Sequence, residues 1–157
     1  MEQKKVIHST FVVERSFPKP PETVFAAFAD PAKARRWYAE GEGHDLEEFT
    51  ADFRVGGKQV LRYRLGSQTP VAGMRINNQA QYQEIQPNRR IVTATTMDLE
   101  NRRILAAQVT VELLPNGNGT DLVLTNQGAH FEGGLTPEML EAGWRGLLER
   151  LAKELES

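Results

Sequence analysis

The sequence predicts an α+β fold in which a curved antiparallel sheet packs against one long C-terminal helix. Three observations carry this prediction. Residues 46–130 form β-rich segments separated by short turns containing Gly, Pro or Asn, which is typical of consecutive antiparallel strands. Residues 6–17 are rich in β-branched and aromatic side chains and add a first strand. Residues 136–157 instead repeat leucine at three- and four-residue spacing, the period of an amphipathic helix.

Two short helices are predicted between the first strand and the remaining strands. Pro21 suits the first position of a helix, where its missing N–H is not needed. Asp30 followed by Pro31 is an N-cap signal for a second helix. In this second helix Ala34, Trp37 and Tyr38 fall at i, i+3 and i+4, so they lie on one side of the helix.

Six further strands are predicted after these helices, which gives seven in all. The alternation of apolar and polar residues over 105–113 indicates that one face of the sheet is buried and the other is solvated. The predicted strands cover residues 46–55, 58–65, 71–85, 90–99, 102–114 and 120–131.

The last helix contains two glycines in positions that a helix normally avoids. Thr136 and Pro137 provide its N-cap and first residue. Gly143 and Gly146 flank Trp144, although glycine in a helix costs roughly 0.5–1 kcal/mol relative to alanine. They either allow close packing of the helix backbone or leave space for a bound molecule beside the indole.

The composition restricts the classes of function. The 157 residues are expected to form one domain over 1–157, and the net charge of −2 makes nucleic acid an improbable partner. There is no cysteine and no apolar run long enough for membrane insertion, so a cytoplasmic protein is expected. His44 and Glu47 do not complete a metal site, and no phosphate-binding loop or dinucleotide fingerprint is present. We therefore expect neither a metal nor a cofactor.

Local patterns along the chain carry a resemblance to a known superfamily. They are PETVF at 21–25, Asp30-Pro31, Trp37, DFRVGG at 52–57, EIQP at 84–87, RIV at 90–92, Gly119-Thr120 and Gly143-Trp144. In this order they resemble the helix-grip superfamily (SRPBCC), which includes the START lipid-transfer domains, the birch pollen allergen and the polyketide cyclases. Within it, the chain looks most like the homologues of the activator of the heat-shock-protein-90 ATPase.

The resemblance implies a cavity between the sheet and the last helix that binds a small hydrophobic molecule such as a lipid, a polyketide-like compound or an aromatic compound. Two segments depart from the family's pattern, the link after Tyr38 and residues 66–73, and both are expected at the mouth of this cavity. The expected ligand-binding residues are Trp37, Phe49, Tyr63, Met74, Tyr82, Met97, His130, Met139, Gly143 and Trp144.

Two alternative functions remain open at this point. The first is a cyclase or hydrolase that uses His130, expected at the cavity rim, together with a carboxylate or Tyr82. The second, taken only from the name of the family, is a co-chaperone that acts by protein contact. No catalytic residue is identified, so we expect a binding protein rather than an enzyme; a homodimer is compatible with the sequence.

Overall fold

The computed structural model describes residues 5–41 and 43–157. Seven strands form one antiparallel sheet in the order β1-β7-β6-β5-β4-β3-β2, so β1 and β2 are its edges. The strands are β1 (Ile7–Phe17), β2 (Asp45–Ala51), β3 (Lys58–Arg64), β4 (Arg75–Gln86), β5 (Arg90–Leu99), β6 (Arg102–Asn116) and β7 (Gly119–His130). The predicted α+β helix-grip architecture is confirmed.

The helices begin where the sequence signals predict. Helix α1 covers Pro21–Ala29, α2 covers Pro31–Ala34 and continues as a π-helical turn over Arg35–Ala39, and α3 covers Pro137–Leu155. The Asp30 carboxylate accepts a hydrogen bond from the Ala32 N–H (2.9 Å) at the start of α2. The Thr136 hydroxyl accepts one from the Met139 N–H (3.1 Å) at the start of α3. Both side chains satisfy donors that a helix N-terminus leaves unpaired.

The fourth strand is shorter than predicted. It begins at Arg75 rather than at residue 71, because the chain turns between Gly66 and Met74. Gly73 has a φ of +84°, a backbone conformation that suits glycine and not a strand. Met74 therefore lies in a loop, directly before the strand in which it was predicted.

Helix α3 covers only part of the sheet. It packs against β1, α1 and the π-helical turn. Its buried leucines join side chains of β1, β6, β7 and α1 in the main core, among them Val13, Val24, Leu113, Leu122, Leu124, Leu148 and Leu151. The inner face of β3, β4 and β5 consequently has space above it.

A row of small residues crosses the inner face of the sheet. The register pairs Ala80 with Thr95, Thr95 with Ala107, and Ala107 with Gly128. Small side chains extend less far from the sheet, so this row leaves a shallow trough. The rows on either side hold larger side chains, among them Tyr82, Met97, Leu105 and Val109. None of the helices in the described residues is both long and apolar enough to cross a membrane.

Candidate functional site

A cavity of about 1050 Å³ lies between the inner face of the sheet and α3. Strands β3, β4 and β5 with part of β6 form its floor, and α3 and the π-helical turn cover it. A mainly apolar lining with a few polar groups is typical of small-molecule sites. The apolar lining includes Leu61, Ala80, Ile91, Met97, Leu105, Val109, Val111, Leu135, Leu140 and Leu147.

Aromatic rings form the wall between the π-helical turn and α3. Tyr38 stacks on Trp144 with the ring centroids 6.1 Å apart and the planes at 29°. Trp37 meets Phe28 edge-on at 5.0 Å and donates its indole N–H to the Ala27 carbonyl oxygen (2.9 Å). Because Trp37 is anchored in the core, the turn holds the adjacent Tyr38 against the cavity.

Gly143 and Gly146 lie where α3 borders the opening of the cavity. Leaving aside the backbone of the helix itself, a Cβ atom built at either glycine would have no heavy atom within 4 Å. Both glycines line the cavity and both are exposed. Met139, one turn earlier, also lines it and is 54% exposed. The glycines therefore border open space, and the interpretation as close-packing positions is wrong.

Two loops form the rim opposite this face of α3. His44 follows the π-helical turn, and its ring lies 5.1 Å from that of Tyr63. Its Nδ1 accepts a hydrogen bond from the Gly66 N–H (3.3 Å), which ties the two loops together. Leu65 and Thr69 from the second loop also line the cavity. The two segments that depart from the family's pattern thus border the opening, with the exception of residue 42, which lies outside the described residues.

Charged groups are confined to one end of the cavity. The guanidinium of Arg36 donates to the carboxylate of Glu154, with N–O distances of 2.7–3.2 Å, and so joins the π-helical turn to α3. Arg150 donates to the Arg36 carbonyl oxygen (3.0 Å). Among residues 5–41 and 43–157, every Lys, Arg, Asp or Glu side chain of the lining belongs to the π-helical turn, to the residue directly after it, or to α3. These side chains are Arg36, Glu40, Arg150, Lys153 and Glu154.

The floor of the cavity contains neutral polar groups among its apolar side chains. The Tyr82 hydroxyl donates to Oε1 of Gln59 (3.1 Å). The hydroxyls of Thr93 and Thr95, two residues apart on β5, are 3.3 Å from each other. Burial raises the pKa of Tyr82 to about 12, with a smaller contribution from Asp52. The phenol therefore stays protonated at neutral pH and can act as a hydrogen-bonding group.

Two asparagines on the lining hold buried atoms without hydrogen-bond partners. Asn78 is 8% exposed and Asn126 is 1% exposed. Neither Oδ1 of Asn78 nor Nδ2 of Asn126 has a partner among the described residues. Buried polar side chains are normally hydrogen-bonded, so each of these atoms needs an explanation.

Seven of the ten residues expected to bind the ligand line the cavity: Trp37, Tyr63, Tyr82, Met97, Met139, Gly143 and Trp144. Phe49 lies behind Tyr38, with the two ring centroids 6.4 Å apart. Met74 packs against the core from its loop. Neither side chain belongs to the lining. The residue types identified Phe49 and Met74 as large apolar side chains, but the sequence did not give the direction in which these side chains point.

His130 is buried rather than exposed at the rim. It is the last residue of β7 and is 2% exposed. Its Nδ1 is 2.9 Å from the Leu135 carbonyl oxygen, which only accepts, so Nδ1 donates the hydrogen bond. Its Nε2 is buried without a partner in the described part of the chain, and the residue is not part of the cavity lining. The expected acid–base position at the rim is therefore wrong.

Sequence reasoning missed Tyr38, Asn78 and Asn126 as lining residues. A signal for the asparagines was present, because each occupies an inward position in an alternating strand: Asn78 lies between Ile76 and Ala80, and Asn126 follows Leu124. A polar residue at a strand position where the alternation expects an apolar, buried side chain is a recognisable anomaly.

The described residues contain no group of three or more His, Asp or Glu side chains arranged to hold a metal ion. Glu47, considered above with His44, instead accepts hydrogen bonds from Arg64 (3.0 Å) and Arg75 (2.6 Å). These arginines lower the pKa of the Glu47 carboxyl below its usual range.

Comparisons with known proteins agree with this architecture. The chain is similar to the Mll3558 protein of Rhizobium loti, with 46% identity, a TM-score of 0.85, and coverage of 96% of this chain and 99% of the other. A protein of Rhizobium leguminosarum has 30% identity, a TM-score of 0.88 and 99% coverage of both chains. An AHSA1-like protein of Aeromonas hydrophila has 20% identity and a TM-score of 0.68, over 94% of this chain and 92% of that one. None of the curated proteins matches the chain.

The family comparison assigns most of the chain. The model of the family described as "Activator of Hsp90 ATPase homolog 1-like protein" matches residues 18–156, from the end of β1 to the end of α3. The resemblance read from the sequence motifs is thereby confirmed, and this protein belongs to the Activator of Hsp90 ATPase homolog 1-like family.

Proposed function

We propose that the protein binds a small, largely apolar molecule in the cavity between the sheet and α3. The observation that supports this most directly is an accessible volume of about 1050 Å³ beside the two glycines of α3. Ligand sites typically measure roughly 300–1,000 Å³, so the volume suits a lipid, a polyketide-like compound or an aromatic compound.

The apolar walls supply the affinity in this proposal. Trp144, Tyr38 and Met97 present rings and a flexible thioether side chain to the space. Burial of an apolar guest there removes hydrocarbon surface from water, which stabilises the complex by about 25 cal/mol per Å² before the costs of association. The open face at Gly143 and Gly146 provides a route of entry.

Native mass spectrometry of the protein purified from its own host is the primary test. We expect a bound mass that denaturation releases, followed by a thermal shift when the identified molecule is added back. At 100 times its dissociation constant, a ligand should stabilise the fold by about 2.7 kcal/mol. A protein that carries nothing and shows no shift with any lipid, polyketide or aromatic compound would contradict the proposal.

A matched pair of variants tests the location of the site. In Gly146→Trp an indole is added at the mouth, at a position where a Cβ atom has no heavy atom within 4 Å outside the helix backbone. In Ala142→Trp the same group is added to an exposed position of α3 that does not line the cavity. We expect the first variant to lose at least tenfold in affinity and the second to bind normally.

The enzymatic and co-chaperone alternatives have no comparable support. His130 is absent from the lining, and Tyr82 has a pKa of about 12, far from the value that suits proton transfer at neutral pH. Recovery of a chemically altered ligand after incubation would favour the enzyme, and co-purification of the host's chaperone would favour the co-chaperone.

A further inference from the structure

We infer that the ligand is a neutral molecule carrying hydroxyl or carbonyl groups near both ends of an apolar frame, and that Asn78 and Asn126 bind these groups. The inference rests on the proposed function, because it names the chemistry recognised by the same cavity. It excludes pure hydrocarbons and carboxylates as the preferred ligands.

The first observation behind this inference is that two buried asparagine side chains each have an atom without a hydrogen-bond partner among the described residues. Both asparagines line the cavity, are more than nine-tenths buried, and hold an atom with no hydrogen-bond partner in the described residues. Folding removes such an atom from water without compensation, which is unfavourable unless a ligand later supplies the partner. A side-chain amide contains both a donor and an acceptor, so it can bind either a hydroxyl or a carbonyl group.

The space around Asn126 supports this inference. The amide leans along β7 towards Gly128, because a Cβ atom built at Gly128 would lie 3.4 Å from Nδ2 of Asn126. Gly128 belongs to the row of small residues on the inner face of the sheet, together with Ala107 and Thr95. The amide is therefore next to this row of small residues and is not enclosed by large side chains on that side.

The positions of the two amides define where the polar groups of the ligand should be. Asn78 lies on β4 and Asn126 on β7, three strands apart, or roughly 14 Å across a flat sheet at the usual strand spacing. Along the strands they differ by two inward positions, since Asn78 is in register with Met97 and Asn126 with Val109. The Thr93 and Thr95 hydroxyls lie between them. One polar group on the ligand does not reach both amides, whereas groups at its two ends do.

The surroundings of the amides specify a neutral ligand. Asn78 is flanked in register by Leu61 and Met97, and Asn126 by Phe11 and Val109. A carboxylate next to these side chains would be buried without a cation, which is strongly unfavourable. The basic groups of the lining lie at the end formed by α3 and the π-helical turn, where Arg36 is already paired with Glu154.

Binding of three probes to the full-length protein tests the inference by isothermal titration. The probes are flavone, 7,4′-dihydroxyflavone, which has a hydroxyl at each end of the same frame, and decanoate. We expect the dihydroxy compound to bind up to about a hundredfold more tightly than flavone, because each of its two hydroxyls adds one net hydrogen bond worth about tenfold. Decanoate should bind more weakly than both.

Two variants and one control then identify the residues responsible. Asn78→Leu and Asn126→Leu should each lower the ratio of the affinity for 7,4′-dihydroxyflavone to the affinity for flavone by about tenfold, and keep or raise Tm. A structural role for the asparagines would instead lower Tm. Asn77→Leu, on the outer face next to Asn78, should not change the ratio between the two flavones, because Asn77 is not part of the lining.

The outcomes separate this inference from the proposed function. Equal affinities of wild-type protein for the two flavones, a ratio unaffected by both variants, or preference for decanoate would overturn the inference and leave ligand binding intact. A host ligand that is a carboxylate or a plain hydrocarbon would do the same. Failure of every probe, together with an empty protein from the host, would overturn both.

Discussion

Replacing Gly143 and Gly146 by alanine should stabilise the protein. Both residues lie inside α3, and a Cβ atom at either would meet no heavy atom within 4 Å outside the helix backbone. The variants therefore gain the helix propensity of alanine with no steric penalty. This difference is about 0.8–1.0 kcal/mol per residue, so the double variant should gain about 2 kcal/mol in free energy of unfolding.

Urea denaturation followed by circular dichroism measures this gain. The midpoint should rise with an unchanged m-value, because the surface exposed on unfolding hardly differs. For a chain of this length 1 kcal/mol corresponds to about 2–4 °C, so Tm of the double variant should rise by about 4–8 °C. The reverse substitution at a neighbouring exposed position, Ala142→Gly, should lower the free energy of unfolding by about 1 kcal/mol.

Gly119→Ala provides the opposite control. A Cβ atom there would lie 2.4 Å from the carbonyl oxygen of Phe17, so this variant should be destabilised. If the double alanine variant of α3 behaved like Gly119→Ala, the open space assigned to positions 143 and 146 would be wrong. The route of entry and the site proposed beside Trp144 would then lose their structural basis.

Three further predictions concern the walls and the mouth. Trp37→Phe leaves the Ala27 carbonyl oxygen without its indole donor and should cost at least about 1–3 kcal/mol in the free energy of unfolding. Burial raises the pKa of Tyr63 and Tyr82, the latter to about 12. Because the protonated phenols are favoured in the folded state, their contribution to the free energy of unfolding should be constant from neutral pH to pH 10 and fall between pH 10 and 12, as a series of urea titrations would show. Glu154→Gln should weaken the contact to Arg36 and speed ligand dissociation in stopped-flow measurements. Raising the salt concentration should have the same effect on the wild type, since the Arg36 side chain of this pair is half exposed and dissolved ions screen it.

The fold could be predicted because its signals are local. Turn residues separated the strands, Thr136 and Asp30 marked helix starts, and the leucine period fixed the buried face of α3. The fourth strand was predicted too early because residues 71–74 include the apolar Val71, Ala72 and Met74, although in the loop only Met74 packs against the core and Val71 is exposed. Apolar residue types alone do not distinguish a loop from the start of a strand.

The site could be predicted only in part, because the direction of a side chain depends on curvature and register. Met97 and Met74 look equivalent in the sequence, yet only Met97 lies on the inner face of a strand that borders the cavity. His130 looked like a rim residue because it ends a strand, but residues 131–135 return over it and supply the carbonyl oxygen that binds its ring. Both errors concern the position of a side chain in three dimensions.

Apart from the buried Nε2 of His130, the features that weaken this fold locally are concentrated around one space. The glycines of α3, the small row through Ala80 and Thr95, and the unpartnered amides of Asn78 and Asn126 all reduce packing or leave polar atoms unsatisfied. A core selected for stability alone would fill the space with leucine and remove the amides, since apolar substitutions at such positions are neutral or stabilising. Several departures from stable packing at one place are expected at a functional site. Their shared location on one lining is therefore an argument for a ligand that is independent of family membership.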